Sequence, residues 1–255
     1  INPPLGIVVC GYFVKRFAKG FLDDLHVKTI AIGCGDKTII MSSIDVCFLP
    51  TELADKYRSY IELKTGISYE NIFISATHTH TGPELKTVDV PDEELSKQYI
   101  DFLMKRISDS VQVALNDMKT ARLGYRTVTA PDNIAVIRRY KMKDGTTMTC
   151  PPYDKVDEID HPIGTLDNTV NVVRIDRDGG QTIVIVNYGV HADTVNGDMI
   201  SADFPHWLSS TLYKALDGVE CMFLPGAQGD VGSTNLHPSD GDMNDTAISF
   251  DNEMK

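Results

Sequence analysis

A mixed α/β fold, a β-sheet core flanked by helices, is what this sequence predicts, and three observations carry that reading. Strand, helix and strand follow one another twice, over residues 38–77 and 182–224. A long apolar period of three and four residues runs from about Asp92 to Met118. The 255 residues are 42% hydrophobic and 24% charged, enough apolar chain for a substantial core. We read 1–255 as a single α/β domain.

Taken in order, VKTIAI (27–32) and TIIMSSI (38–44) are β-branched runs around Gly33-Cys34-Gly35-Asp36 and predict a hairpin. Pro50 then opens an amphipathic stretch with Leu53, Tyr57, Tyr60, Ile61 and Lys64, closed by Gly66, the order expected of a helix. NIFISAT (71–77) reads as a buried strand. The helix from Asp92 places Leu95, Tyr99, Phe102, Leu103, Val111, Leu115 and Met118 on one face, with Asp92, Glu93 and Glu94 at its positive end. Residues 129–168 are polar and rich in turn residues, an excursion from the domain.

NVVRI (171–175) and QTIVIVNYGV (181–190) form a second hairpin around Asp178-Gly179-Gly180. Asp203 or Phe204 caps a helix with Pro205 at its start and Gly218 at its end, and ECMFL (220–224) is the last strand. The two strand–helix–strand units imply parallel pairing with right-handed crossovers. Asp251 or Asn252 starts another helix near the chain end.

With 24 basic and 36 acidic residues the chain carries a net charge of −12, which argues against nucleic acid as a partner. The longest apolar run, Thr182 to Val190, is less than half of a membrane span. Neither an initiator Met nor a basic-then-apolar leader precedes Ile1, so an export signal was removed or never present. Of five cysteines, Cys10, Cys47 and Cys221 lie in apolar runs and read as small buried hydrophobes, and the odd count argues against a disulfide framework.

The chemistry concentrates at strand ends. Thr77-His78-Thr79-His80-Thr81-Gly82-Pro83 follows a strand directly, and in extended chain residues two apart face one side, so both imidazoles can converge on a metal such as zinc. The alternative is two hydrogen-bonded histidines. His191 follows the first strand of the second unit, where ligands gather in α/β sheets; its own alternative is a buried His satisfied by Asp193. Pro225-Gly226-Ala227-Gln228-Gly229-Asp230-Val231-Gly232-Ser233 lets backbone N–H groups approach an oxyanion, or else is a tight turn. It lacks the Lys of a phosphate loop. Arg138 and Arg139 can bring charge to an oxyanion or stand in solvent. Turn and cap roles suffice for Asp198 and Asp203.

PPLGIVVCGY, Asp24 before Leu-His-Val-Lys, ATHTHTGP, NIAVIRRYKMKDG, VHADTV, ISADFP and GAQGDV, in this order from Pro3 to about residue 235, are similar to motifs of the neutral/alkaline, non-lysosomal ceramidase family. The resemblance implies an N-terminal catalytic domain in which His78 and His191 bind one zinc ion per chain. It implies that His80 and Arg138 contact the scissile amide and its oxyanion, with Gly229, Asp230 and Ser233 on a substrate loop. A zinc-activated water would attack the amide carbonyl of an N-acyl amide, a sphingolipid among the candidates, reached at a membrane surface by a secreted or periplasmic protein. Gly232 stands where the family has Ser, and Ile137 where it has Asn before the arginine. The family's remaining zinc ligands, a Glu and a Tyr, would lie beyond residue 255, so the chain reads as truncated at its C-terminal end and inactive alone. Two rivals remain: a metal-dependent esterase or phosphoesterase built on several Asp ligands, and a non-catalytic lipid- or carbohydrate-binding relative.

Overall fold

The computed structural model describes residues 1–132 and 134–233. The helix expected near Asp251 lies outside them.

β1 (Val27–Cys34) and β2 (Lys37–Ile44) pair antiparallel, Val27 opposite Ile44 and Cys34 opposite Lys37. The expected hairpin is therefore present. α1 (Thr51–Thr65) ends where Gly66 adopts φ 73°, a left-handed C-cap open to glycine without strain. β3 (Ile72–Ala76) then pairs parallel to β2. In α2 (Glu93–Asn116) the Asp92 carboxylate accepts the Leu95 N–H and satisfies one of the free donors of the first turn.

β4 (Ala121–Thr129) follows. The excursion after it holds β5 (Val136–Ile137), β6 (Arg139–Met142), β7 (Thr147–Thr149) and β8 (Ile159–Pro162), of which β7, β6 and β8 make a small sheet. β9 (Thr169–Arg177) and β10 (Ile183–Tyr188) form the second hairpin. α3 (Phe204–Ala215), capped by Asp203, leads to β11 (Glu220–Pro225), which lies parallel beside β10. β12 (Val231–Gly232) pairs with β5.

The expected mixed α/β core is found, but as two sheets: β1-β2-β3, and β11-β10-β9-β4. Strand alternation explains the stacking. Ile40 and Ile44 of β2 point towards Tyr57 and Ile61 of α1 and Leu103, Ile107 and Val111 of α2. From the opposite face Ile30 and Met41 meet Ile185 and Met222 of the second sheet. That sheet's outer face, with Val186, Tyr188, Cys221 and Phe223, is covered by Phe204, Leu208 and Leu212 of α3. The result is four layers, helices outside and two sheets within. Truncating Leu103 or Ile107 to Ala, both 0% exposed, would cost about 2–5 kcal/mol.

β4 escapes a periodicity reading because all nine of its residues are exposed, leaving no buried face to alternate. β3 is less buried than expected: only Ile72 is fully inside, and Phe73 is 52% exposed. Cys47 and Cys221 are buried as expected, whereas Cys10 is only partly so.

The topology sets out the functional residues. β2, β3, β10 and β11 lie in two parallel pairs, β2 with β3 and β10 with β11. Just past their carboxyl ends come, respectively, Cys47, His78 with His80, His191, and the loop 226–233.

Candidate metal centre

His78 sits two residues beyond β3 with φ 70°, a left-handed conformation that costs a non-glycine residue of order 1 kcal/mol and must be held by its surroundings. Backbone bonds hold it: Thr77 N donates to Ile44 O at 2.9 Å and His78 N to Val46 O at 3.0 Å. The two imidazoles of the His-x-His pair do approach, with centroids 5.0 Å apart, but through this bend and not through continued strand. His80 is 7% exposed. Its backbone is fixed from both sides, the N–H donating to Ala192 O at 3.1 Å and the carbonyl accepting Arg16 Nη2 at 2.7 Å. Gly11 packs on it: a Cβ there would lie 2.6 Å from His80 Cβ, and φ is 109°, so glycine is required twice over.

His191 arrives from the second sheet. Gly189 permits the approach, since a Cβ at that position would meet Ala227 O at 2.6 Å. His78 Nδ1 lies 2.6 Å from Cys47 O, and His191 Nδ1 lies 2.7 Å from Gln228 O. A carbonyl only accepts, so both Nδ1 atoms carry the proton and both Nε2 atoms are left as acceptors, that of His191 already receiving Arg138 Nη2 at 3.0 Å. These two Nε2 atoms face each other at 3.2 Å. Two lone pairs so placed repel unless positive charge lies near, which the Arg138 guanidinium supplies on one side and a metal ion between them would supply directly. Two nitrogens on a tetrahedral zinc at about 2.0–2.1 Å would be separated by about 3.3 Å. The backbone-anchored tautomer is also that of a metal-bound His. The residues therefore fit zinc.

Both rings favour the neutral state that a metal ligand needs. Burial pushes His191 down to about 4, with the Arg138 charge adding to it, and burial likewise lowers His78 against the opposing Cys47 carbonyl.

Arg138 reaches this pair because β5 is tied to β12. Its Nη2 lies 3.0 Å from His191 Nε2 and 3.0 Å from Gly229 O, whereas Arg139 is exposed. Of the substrate loop, Gly229 and Asp230 are exposed, and Gln228, Gly229 and Val231 present carbonyls to His191 and Arg138. Those contacts are acceptors, where the sequence suggested N–H donors. Ser233 lines a different, apolar cavity of about 450 Å³ with Val186, Tyr188 and Leu208.

Asp193 partners His80 and not His191. Its Oδ1 is 3.4 Å from His80 Nδ1, within ion-pair range though without hydrogen-bond alignment, and it accepts the Tyr12 hydroxyl. Burial works to raise this carboxyl, yet its His80 and Tyr12 contacts hold it below the ordinary aspartate range. Cys47, which sequence reading treated as filler, offers a sulfur within 4.8 Å of ligand nitrogens of His78 and His80. Tyr12, Cys47 and Asp193 carry no spacing signal. For Cys47 the clue available was its place beyond the first strand of a parallel pair.

No family model matches the sequence, and no curated protein does. Among solved structures the chain is similar to neutral ceramidase from Pseudomonas aeruginosa, with a TM-score of 0.72 and 17% identity over 95% of this chain. It is likewise similar to a ceramidase complexed with C2, with a TM-score of 0.69 and 16% identity over 91% of the chain. It spans 39% and 37% of those two chains. The likeness shows a shared fold.

Proposed function

We propose that this chain is the zinc-binding part of an amide hydrolase of the neutral ceramidase kind, acting on an N-acyl amide of lipid type. The observation that carries the reading is the pair of Nε2 lone pairs held 3.2 Å apart by two backbone-anchored imidazoles. When bound, zinc supplies a water acidic enough to act as nucleophile at neutral pH. His78 and His191 hold the ion.

In this reading His80, backed by Asp193 and Tyr12, takes or returns the proton at the scissile amide. Arg138 offers its planar fork to the oxygen that gains charge, Gly229 O keeping the guanidinium oriented. The resemblance calls for a carboxylate and a phenolic ligand besides these two histidines, and zinc held by His78 and His191 alone would bind weakly. A secreted or periplasmic setting follows from the resemblance alone. Among the described residues no helix is long and apolar enough to cross a membrane. The nitrogen-rich donor set speaks against an esterase or phosphoesterase with several carboxylate ligands.

The test is zinc content by elemental analysis, paired with hydrolysis of an N-acyl amide by a longer chain. One zinc per chain is expected, lost in both His78→Ala and His191→Ala. Unaltered zinc in either variant would overturn the reading.

A further inference from the structure

Two thiols meet behind the His-x-His segment. Cys10 N donates to Gly82 O at 2.9 Å, and Val9 bridges to Pro83, so the N-terminal chain lies along this segment. Gly82 also packs on the end of β2, where a Cβ at position 82 would stand 3.3 Å from both Asp45 O and Val46 Cα. His80 supplies a second fix. A Cβ on Gly11 would fall 2.6 Å from His80 Cβ, and the Cys47 sulfur lies within 4.8 Å of a His80 ring nitrogen. Positions 10 and 47 are thus set side by side, and the Cys47 S–H donates to the Cys10 sulfur. That hydrogen bond draws Cys10 below the ordinary thiol range, although burial works to raise it. Both cysteines are free, Cys10 partly exposed and Cys47 buried.

We propose that Cys10 and Cys47 are a modification site, a reversible disulfide that closes behind the metal-binding segment. The co-reactant is a low-molecular-weight disulfide of the glutathione type. Cys10, the accessible member, attacks one of its sulfurs, releases one small thiol and is left as a mixed disulfide. Cys47 then attacks the Cys10 sulfur and expels the second small thiol. The protein gives up two electrons and two protons, and the small disulfide is reduced to two thiols. Cys34 and Cys150 are exposed, but among the described residues no second thiol contacts either, so they stop at the mixed disulfide. The new bond ties the chain carrying Gly11 and Tyr12 to the residue whose carbonyl anchors His78 Nδ1. It also closes a loop that contains β1 and β2, which narrows the unfolded ensemble and favours the fold. Zinc on His78 and His191 uses neither sulfur, so this site does not depend on the function proposed above.

The experiment treats the reduced, folded full chain with oxidised glutathione, alkylates the remaining thiols after unfolding, and maps proteolytic fragments of the monomer by mass spectrometry. A Cys10–Cys47 cross-linked fragment is expected, with Cys221 alkylated. In Cys47→Ser, Cys10 should keep glutathione because nothing resolves it. In Cys10→Ser, Cys47 should be recovered alkylated, being out of the reagent's reach. The proposal is overturned if wild-type Cys10 keeps glutathione while Cys47 is alkylated, if both are alkylated, or if Cys10 is linked to another cysteine. That wild-type map depends on the folding of no variant. Oxidised wild type should also show a higher Tm than reduced wild type, and Cys47→Ser should lose the difference; equal Tm values would reject the stabilising closure. Zinc analysis of the same samples keeps the two ideas apart. Protein that cross-links but binds no zinc refutes only the function proposed above, and protein that binds zinc without cross-linking refutes only the disulfide.

Discussion

The two loops that meet at the histidines are built on opposite principles. Residues 77–82 are almost wholly buried: Thr79 and Thr81 are 0% exposed and both donate to Ser201 O, at 2.7 and 3.0 Å. Gly11 and Arg16 press on the same segment. Residues 228–230, across the site, include exposed Gly229 and Asp230 and give carbonyls to His191 and Arg138, while β12 just after them is paired with β5 and buries Val231. A strained residue such as His78 persists only where its surroundings over-determine it, which the first loop supplies. The second loop is anchored only at its end, by β12, and its exposed tip at Gly229 and Asp230 leans on the site's own side chains. Changes in the first should therefore register as lost fold or lost metal, and changes in the second as lost rate.

The largest expected effect is at the ligands. His78→Ala and His191→Ala should each weaken zinc binding by more than about 100-fold, above the penalty usual for residues that only orient a ligand. Competitive chelator titration checks this, and a loss confined to one variant would break the shared-ion geometry. Next come the groups assigned to the amide. His80→Ala should keep zinc on His78 and His191 while turnover by a longer chain falls about 100-fold. Arg138→Lys should lower kcat by about 10-fold or more with little change in KM, because charge is kept and the fork is lost. Steady-state kinetics decides both, and unchanged constants for Arg138→Lys would return it to a solvated side chain.

Gly11→Ala should destabilise the protein by about 1–3 kcal/mol, through a Cβ forced against His80 and a positive φ. The equivalent change at Gly229, where a Cβ meets open space, should cost less than about 0.5 kcal/mol in denaturant unfolding. Equal losses would erase the contrast between the loops. The smallest effect concerns pH. Burial, then Arg138, lowers His191 from the ordinary 6.5 to about 4, so in metal-free protein the unfolded chain takes up a proton that the folded one refuses. The contribution is present in full above about pH 6.5 and is lost as pH falls from there towards 4. His191→Gln should flatten that part of the stability profile in chemical denaturation.

Much of this was legible in the sequence because it is local. The periods of α1, α2 and α3, the two hairpins, and Asp92, Gly66 and Asp203 as caps all follow from neighbouring residues, and each is found. The His-x-His motif and the position of His191 after a strand were visible for the same reason. β4 was not, since an exposed strand has no hydrophobic pattern. Nor was the division into two sheets, because alternation tells which residues turn inward and not which layer they meet.

What tertiary structure alone decided is the meeting of His78 and His191, 113 positions apart, at 3.2 Å. The same holds for the assignment of Asp193 to His80 and the arrival of Cys47 beside them. Sequence patterns report periods of two and 3.6 residues. Which nitrogen carries a proton, and which lone pair faces which, depends on carbonyls such as Cys47 O and Gln228 O that only the packing of two sheets brings into reach.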